Sequence, residues 1–150
     1  MGDIINFIQK IPGIVIFIID SKEYCISIQN LREIINPIEA ENKVDWEKAY
    51  INFENKIYKF FNNKKYFNSN SSKYSRILLV DFGNKRFGIL VDKVIEYITF
   101  DDMFIMNSIT FDKSDKKFIT LNLNYQGRTI YFPDYDEIVK DFNHSETFIY

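Results

Sequence analysis

The sequence predicts an all-β protein with short helices, of barrel type and not a parallel sheet flanked by helices. Three observations carry this. Apolar runs are short and closely spaced, and turn residues separate them. Helical spacing of apolar residues is confined to brief stretches bounded by a proline or a capping residue. The five glycines stand alone at 2, 13, 83, 88 and 127, so no phosphate-cradling glycine loop marks a nucleotide-binding α/β unit. A chain of 150 residues makes one domain, or two small lobes sharing a core.

The elements follow in order. Ile4, Ile5, Ile8 and Ile11 keep helical spacing behind Asp3, a good N-cap, and Pro12 stops the segment, which predicts a helix within 1–12. Ile14–Ile19 reads as a buried strand. After a turn over Asp20–Glu23, Tyr24, Ile26 and Ile28 alternate with Cys25 and Ser27 as a half-buried partner strand. Asn30 and Glu33 have capping-box spacing, with Leu31, Ile34 and Ile35 on one helical face before Pro37. Ile38–Ala49 is a polar loop containing Trp46. Tyr50–Phe61 is strand, broken at Glu54-Asn55-Lys56, where Asn55 suits positive φ. Asn62–Ser75, rich in Asn, Ser and Lys, reads as a flexible linker.

The hairpin at Arg76–Val94 anchors the chain. Its first arm is apolar on both faces, so it belongs at the centre of a sheet. Gly83-Asn84 is a two-residue turn, and Gly88 marks a bulge or a close approach inside the second arm. Thr99–Asp115, with Phe100, Met103, Phe104 and Ile105, reads as irregular. Ile119, Leu121 and Leu123 alternate, Tyr125–Gly127 turns, and Arg128–Phe132 is the last strand. Asp134 and Glu137 cap a final helix carrying Ile138, Val139 and Phe142. No 20–50-residue repeat is evident, though the two halves share a rhythm of hairpin and short connection.

Composition narrows the function classes. A net charge of −2 provides no general attraction to nucleic acid or anionic membranes. The longest apolar run, Ile14–Ile19, is too short to span a bilayer, and no signal peptide is apparent. Cys25, the single cysteine, reads as a small buried hydrophobe, and the single histidine, His144, falls in the tail. The acidic pairs Asp101-Asp102 and Asp134/Asp136/Glu137 lack metal-site spacing and suit capping or solvated loops. The basic-aromatic stretch 56–76 offers a second reading, a barrel that binds single-stranded nucleic acid through phosphate contacts and stacking.

Three segments, in order, carry a family resemblance. RILLVDFGNKRFGILVDKVIEYITF resembles the second half of the CheW-like coupling domains of bacterial chemotaxis, where a strand, a tight turn and a strand end in Gly-x-x-Val-Asp-x-Val. Gly88, Val91, Asp92 and Val94 match it. IVIFIIDSKEYCISIQNLREIIN is similar to the opening hairpin and the following Val-x-Glu-Ile turn, with Leu31 and Glu33-Ile34 in register. GRTIYFPDYDEIV is similar to the closing strand and helix, with Asp134 matching. The resemblance implies two five-stranded SH3-like β-barrel subdomains. One would comprise about 14–68 with the C-terminal segment and the other about 74–132, with a tail over 143–150. It also implies a cytoplasmic, non-enzymatic adaptor without cofactors, located with receptors at the inner face of the membrane. Such an adaptor joins the cytoplasmic tip of a chemoreceptor to the regulatory domain of the histidine kinase CheA. By register, Val15, Ile28, Leu31 and Val94 would line the receptor groove between the barrels.

The middle departs from the family pattern. Where the family carries Gly-Val-x-Asn-Leu-Arg-Gly, this chain has Ala49-Tyr50-Ile51-Asn52-Phe53-Glu54-Asn55. Glu54 reverses the charge of an arginine that in the family can pair with the acidic residue matched by Glu33. The register therefore predicts two carboxylates facing each other and a changed choice of partner.

Overall fold

The computed structural model describes residues 2–70, 73–101 and 107–145. Asp102, Met103, Phe104 and Ile105, residues 146–150 of the expected tail, and the side chains of Asp3, Ile4, Ile5 and His144 lie outside that description. Helix α1 (Gly2–Gln9) precedes the hairpin β1 (Gly13–Ile19) and β2 (Lys22–Ser27). A 3-10 turn over Ile28–Asn30 leads to β3 (Leu31–Ile35), a short β4 (Val44–Asp45), β5 (Tyr50–Phe53) and β6 (Lys56–Phe60). Helix α2 (Asn63–Tyr66) is followed by β7 (Arg76–Phe82), β8 (Lys85–Val91) and β9 (Lys93–Thr99). Then come β10 (Ile109–Lys113), β11 (Ile119–Tyr125), β12 (Arg128–Pro133) and helix α3 (Tyr135–Ser145).

The strands form two six-stranded sheets, ordered β10-β11-β12-β2-β1-β9 and β3-β7-β8-β6-β5-β4. These are the two SH3-like subdomains, with six strands in each sheet where five were expected. Read across, they share one topology. All neighbours are antiparallel except one central two-residue parallel pairing in each sheet. In the first sheet Ile130 and Tyr131 of β12 meet Glu23 and Tyr24 of β2. In the second Lys59 and Phe60 of β6 meet Phe87 and Gly88 of β8. The barrels do not follow the expected division at about 68–74. The chain leaves the first sheet through Ile28–Asn30, builds the whole second sheet over 31–91, and re-enters the first at Asp92. The second barrel is thus a continuous insertion within the first.

Asp92 is the single residue between β8 and β9, and it holds that crossover. Its N–H donates to the Ile18 carbonyl at 2.8 Å, and its carboxylate accepts from the Asp20 N–H at 2.9 Å. Its carbonyl accepts from the Ser75 hydroxyl. The family motif residue therefore ties the β1–β2 turn to the junction of the two sheets.

Two cores result. The larger contains both faces of β1, the inner residues of β11 and β12, and Ile138, Val139 and Phe142 of α3. It also takes Leu78, Val80, Phe87, Ile89 and Val91 from the other sheet, so the interface between barrels is apolar interior. The smaller core comprises Ala40, Ile51, Tyr58, Phe60, Ile77 and Leu79. Strand β7 serves both, because consecutive side chains point to opposite faces. Leu78 and Val80 enter the larger core while Ile77 and Leu79 enter the smaller. This accounts for the first arm of the hairpin being apolar on both faces.

Several local expectations are corrected. Residues 31–35 form a strand paired with β7, not a helix; Ile34 and Ile35 are β-branched and their ladder partners Leu78 and Ile77 are buried. The Asn30 side chain does not cap a helix but donates to the Asp81 carbonyl at 2.9 Å. Strand β2 is buried on both faces from Tyr24 to Ser27, since it lies between β12 and β1. Residues 109–113, read as irregular, pair with β11. Helix α1 begins at Gly2, so Asp3 lies in its first turn. Of the Gly83-Asn84 pair only Gly83 takes positive φ, +67°. At the Glu54-Asn55 turn both residues do, at 50° and 64°. Helix α3 continues beyond Asn143 to Ser145, and Asp134 caps it by accepting from the Glu137 N–H at 3.1 Å.

The segment after β6 is also anchored. Asn62 accepts from the Lys65 N–H at the start of α2, and Tyr66, Phe67 and Ser69 are buried. The Tyr24 hydroxyl donates to the Phe67 carbonyl at 2.9 Å, and the Tyr66 hydroxyl to Asp141 of α3 at 2.8 Å. Although it leaves the second barrel, this segment packs on the first.

Candidate functional site

The seam between the barrels is the candidate site. Its walls are edge strands: β9 closes one sheet and β3 the other. Edge strands expose unpaired backbone groups and are natural docking elements. Ile28, Leu31 and Val94 are each half-buried and pack on the larger core. Ile28 lies over Gly13, where an added Cβ would come within 2.6 Å of its Cδ1 and 2.4 Å of the Ile98 carbonyl oxygen. Gly13 is therefore required for the close approach of the 3-10 turn to β9. Leu31 is paired with Val80, and Val94 with Phe17. Val15 does not face a groove. It has no exposed surface and supports the seam from beneath, paired with Ile26 on one side and Tyr97 on the other. Along β9 the exposed apolar side chains are Ile95 and Tyr97, the latter 58% exposed.

The charged corner of the site differs from expectation. Glu54 does not oppose Glu33. Its carboxylate meets the Arg32 guanidinium at 3.2 Å, and both side chains are solvent-exposed. The register of β3 slips between Leu31 and Glu33, which places Arg32 at the irregularity. The like-charge contact predicted from the family register is thus replaced by an ion pair of reversed polarity. Such an exposed pair contributes only about 0–1 kcal/mol to folding.

The chain now has a fold, a seam and a matching motif in place. Residues 13–143 match the CheW-like domain. The chain belongs to the CheW-like family. The fold is similar to that of the scaffolding protein TtCheW from Thermoanaerobacter tengcongensis, with a TM-score of 0.61 and 22% identity over 82% of this chain and 88% of that one. A comparison with curated proteins found no match.

Cys25 and most aromatics of the 56–76 stretch lie in the interior of this CheW-like chain. Burial pushes the Cys25 thiol well above its ordinary value, so it stays a neutral core group. Five of the six aromatics of the 56–76 stretch, Tyr58, Phe60, Phe61, Tyr66 and Phe67, are buried and unavailable for stacking; Tyr74 is half-buried beside Trp46. No helix among the described residues is long and apolar enough to cross a membrane. Sequence reasoning missed Ile95, Tyr97 and Arg32. The alternation along β9 marks an exposed face, and Ile95 and Tyr97 lie on it.

Proposed function

We propose that this CheW-like protein is a non-enzymatic scaffold that joins the cytoplasmic tip of a chemoreceptor to the histidine kinase CheA. The observation that supports this most is the apolar seam, edged by Ile28, Leu31 and Val94, in a family member matched over nearly its whole length. A receptor tip docks there by burying Leu31 and Val94 further; the kinase binds elsewhere on one barrel. Leu31→Asp or Val94→Asp then weakens receptor-tip binding at least tenfold, since an unpaired carboxylate must be desolvated in an apolar contact. Titration of folded variants against receptor tips reads this directly. Unchanged affinity in both would remove the seam from the reading.

The Arg32–Glu54 pair adds a partner-selecting element, because rim charges set which partner is tolerated more than they set stability. The double exchange Arg32→Glu with Glu54→Arg preserves an ion pair while restoring the polarity usual in the family. It shifts binding towards a CheA–receptor pair from a system with the usual arginine, at nearly unchanged melting temperature. Equal, strong binding of the unmodified protein to that pair shows that Glu54 does not select partners.

A further inference from the structure

A second concavity lies away from the seam, on the first barrel. It has a volume of about 430 Å³ and is lined by Lys22 and Tyr24 of β2, Lys65–Asn68, Lys116–Ile119 and Tyr131. It borders the parallel pairing of β2 with β12, where Tyr24 and Tyr131 stand 5.7 Å apart. The lining contains four lysines and no carboxylate. Lys65 is neutralised by Asp141, 2.7 Å away. Lys22, Lys116 and Lys117 have no ion-pair partner among the described residues. Lys116 and Lys117 lean over the rings of Tyr131 and Phe118, at 4.6 and 5.1 Å from their centroids. Asp20 acts electrostatically on Tyr24, and Asp141 feels Lys117 as well as Lys65.

The walls are aromatic. Tyr24 packs edge-on against Phe67 at 5.1 Å, and Tyr66 against Phe118 at 5.0 Å. Phe118 holds a positive φ of 67°, a costly conformation for an aromatic residue, and its carbonyl accepts from the Asp134 N–H at 2.8 Å. The volume is that of a small-molecule site. The cations are all lysines. Ammonium groups act as point charges for phosphate, whereas planar recognition of carboxylates favours arginine.

We propose that this concavity binds a small phosphate-bearing aromatic anion, a mononucleotide in kind. Lys22, Lys116 and Lys117 take the phosphate; Lys116 swings off the face of the half-buried Tyr131, which it covers at 4.6 Å, and that face takes the ring.

Titration of the intact isotope-labelled protein with adenosine monophosphate, adenosine and inorganic phosphate, followed by amide NMR, tests this. The monophosphate is expected to move the resonances of Phe118, Ile119 and Tyr131 and to bind at least tenfold tighter than either fragment. The exposed-residue variant Lys116→Glu with Lys117→Glu loses at least tenfold in affinity. Lys56→Glu with Lys85→Glu, the same change in net charge elsewhere, keeps it. Melting temperatures of both variants verify the fold. The proposal is overturned if no shifts map to these residues, if either fragment binds as well as the monophosphate, or if both double variants lose affinity alike. It is equally overturned if an acidic peptide competes more tightly at the same residues. Receptor-tip binding by the seam is unaffected by any of these outcomes, so the two readings fail separately.

Discussion

The two barrels share one strand order and differ at the pairing in the middle of each sheet. In the second barrel Phe60 lies opposite Gly88, and its ring occupies the space a side chain there would need: an added Cβ would come within 2.7 Å of Phe60 Cδ1. In the first, Tyr131 stands opposite Tyr24, two large rings side by side. A glycine lets the Phe60 ring join Ala40, Ile51, Tyr58, Ile77 and Leu79 in the smaller core. The pair of tyrosines in the first barrel has a concavity beside it, with the Tyr24 hydroxyl turned inwards to the Phe67 carbonyl. The equivalent position of the two sheets is thus filled by a ring over a glycine in one barrel and by two neighbouring rings in the other.

The largest expected effect separates the two cores. Leu78 and Leu79 are adjacent and fully buried, yet Leu78 fills the shared core and Leu79 the small one. Each leucine-to-alanine change costs about 2–5 kcal/mol through lost burial and a residual cavity. Leu78→Ala lowers the stability of both barrels together. Leu79→Ala opens the second barrel preferentially, read as faster amide exchange in β5 and β6 than in β1 and β2. Identical exchange patterns in the two variants would show that the cores are one cooperative unit.

A smaller effect tests the closing pair. Gly88→Ala forces a methyl group against Phe60 and costs about 1–3 kcal/mol by overpacking. Phe60→Leu, destabilising alone, offsets part of that loss in the double variant. Denaturant melts of both single variants and the double measure the coupling; strict additivity would mean that Gly88 is required for another reason.

The smallest concerns the segment that straps the second barrel to the first. Burial raises the Asp141 carboxyl's affinity for protons, but hydrogen bonds from Lys65 and Tyr66 outweigh it and hold the carboxyl below its ordinary value. A depressed carboxylate contributes stability that is present above the unfolded-state value, about pH 4, and lost as pH falls through the folded one. Asp141→Asn therefore lowers the melting temperature slightly at pH 7 and flattens its fall below pH 4. An unchanged acid slope would show that the strap is held by Tyr66 and Phe67 packing alone.

Much of this was present in the chain as a pattern. Period-two alternation located β2 and β11, a continuous apolar run located β1, and the two-faced apolar run at Ile77–Val80 marked a central strand, because local side-chain direction follows from the backbone. The motif around Asp92 and the order of three segments identified the family. Tertiary structure alone decided the rest. Leu31–Ile35 had the spacing of a helix and became a strand because β7 offered it an apolar ladder. The boundary near 68–74 suggested by composition proved to be a strap, since strand pairing joins residues far apart in sequence and composition records only neighbours. Glu54 met Arg32 instead of Glu33 because a one-residue slip in β3 redirects side chains, and no local pattern specifies that slip.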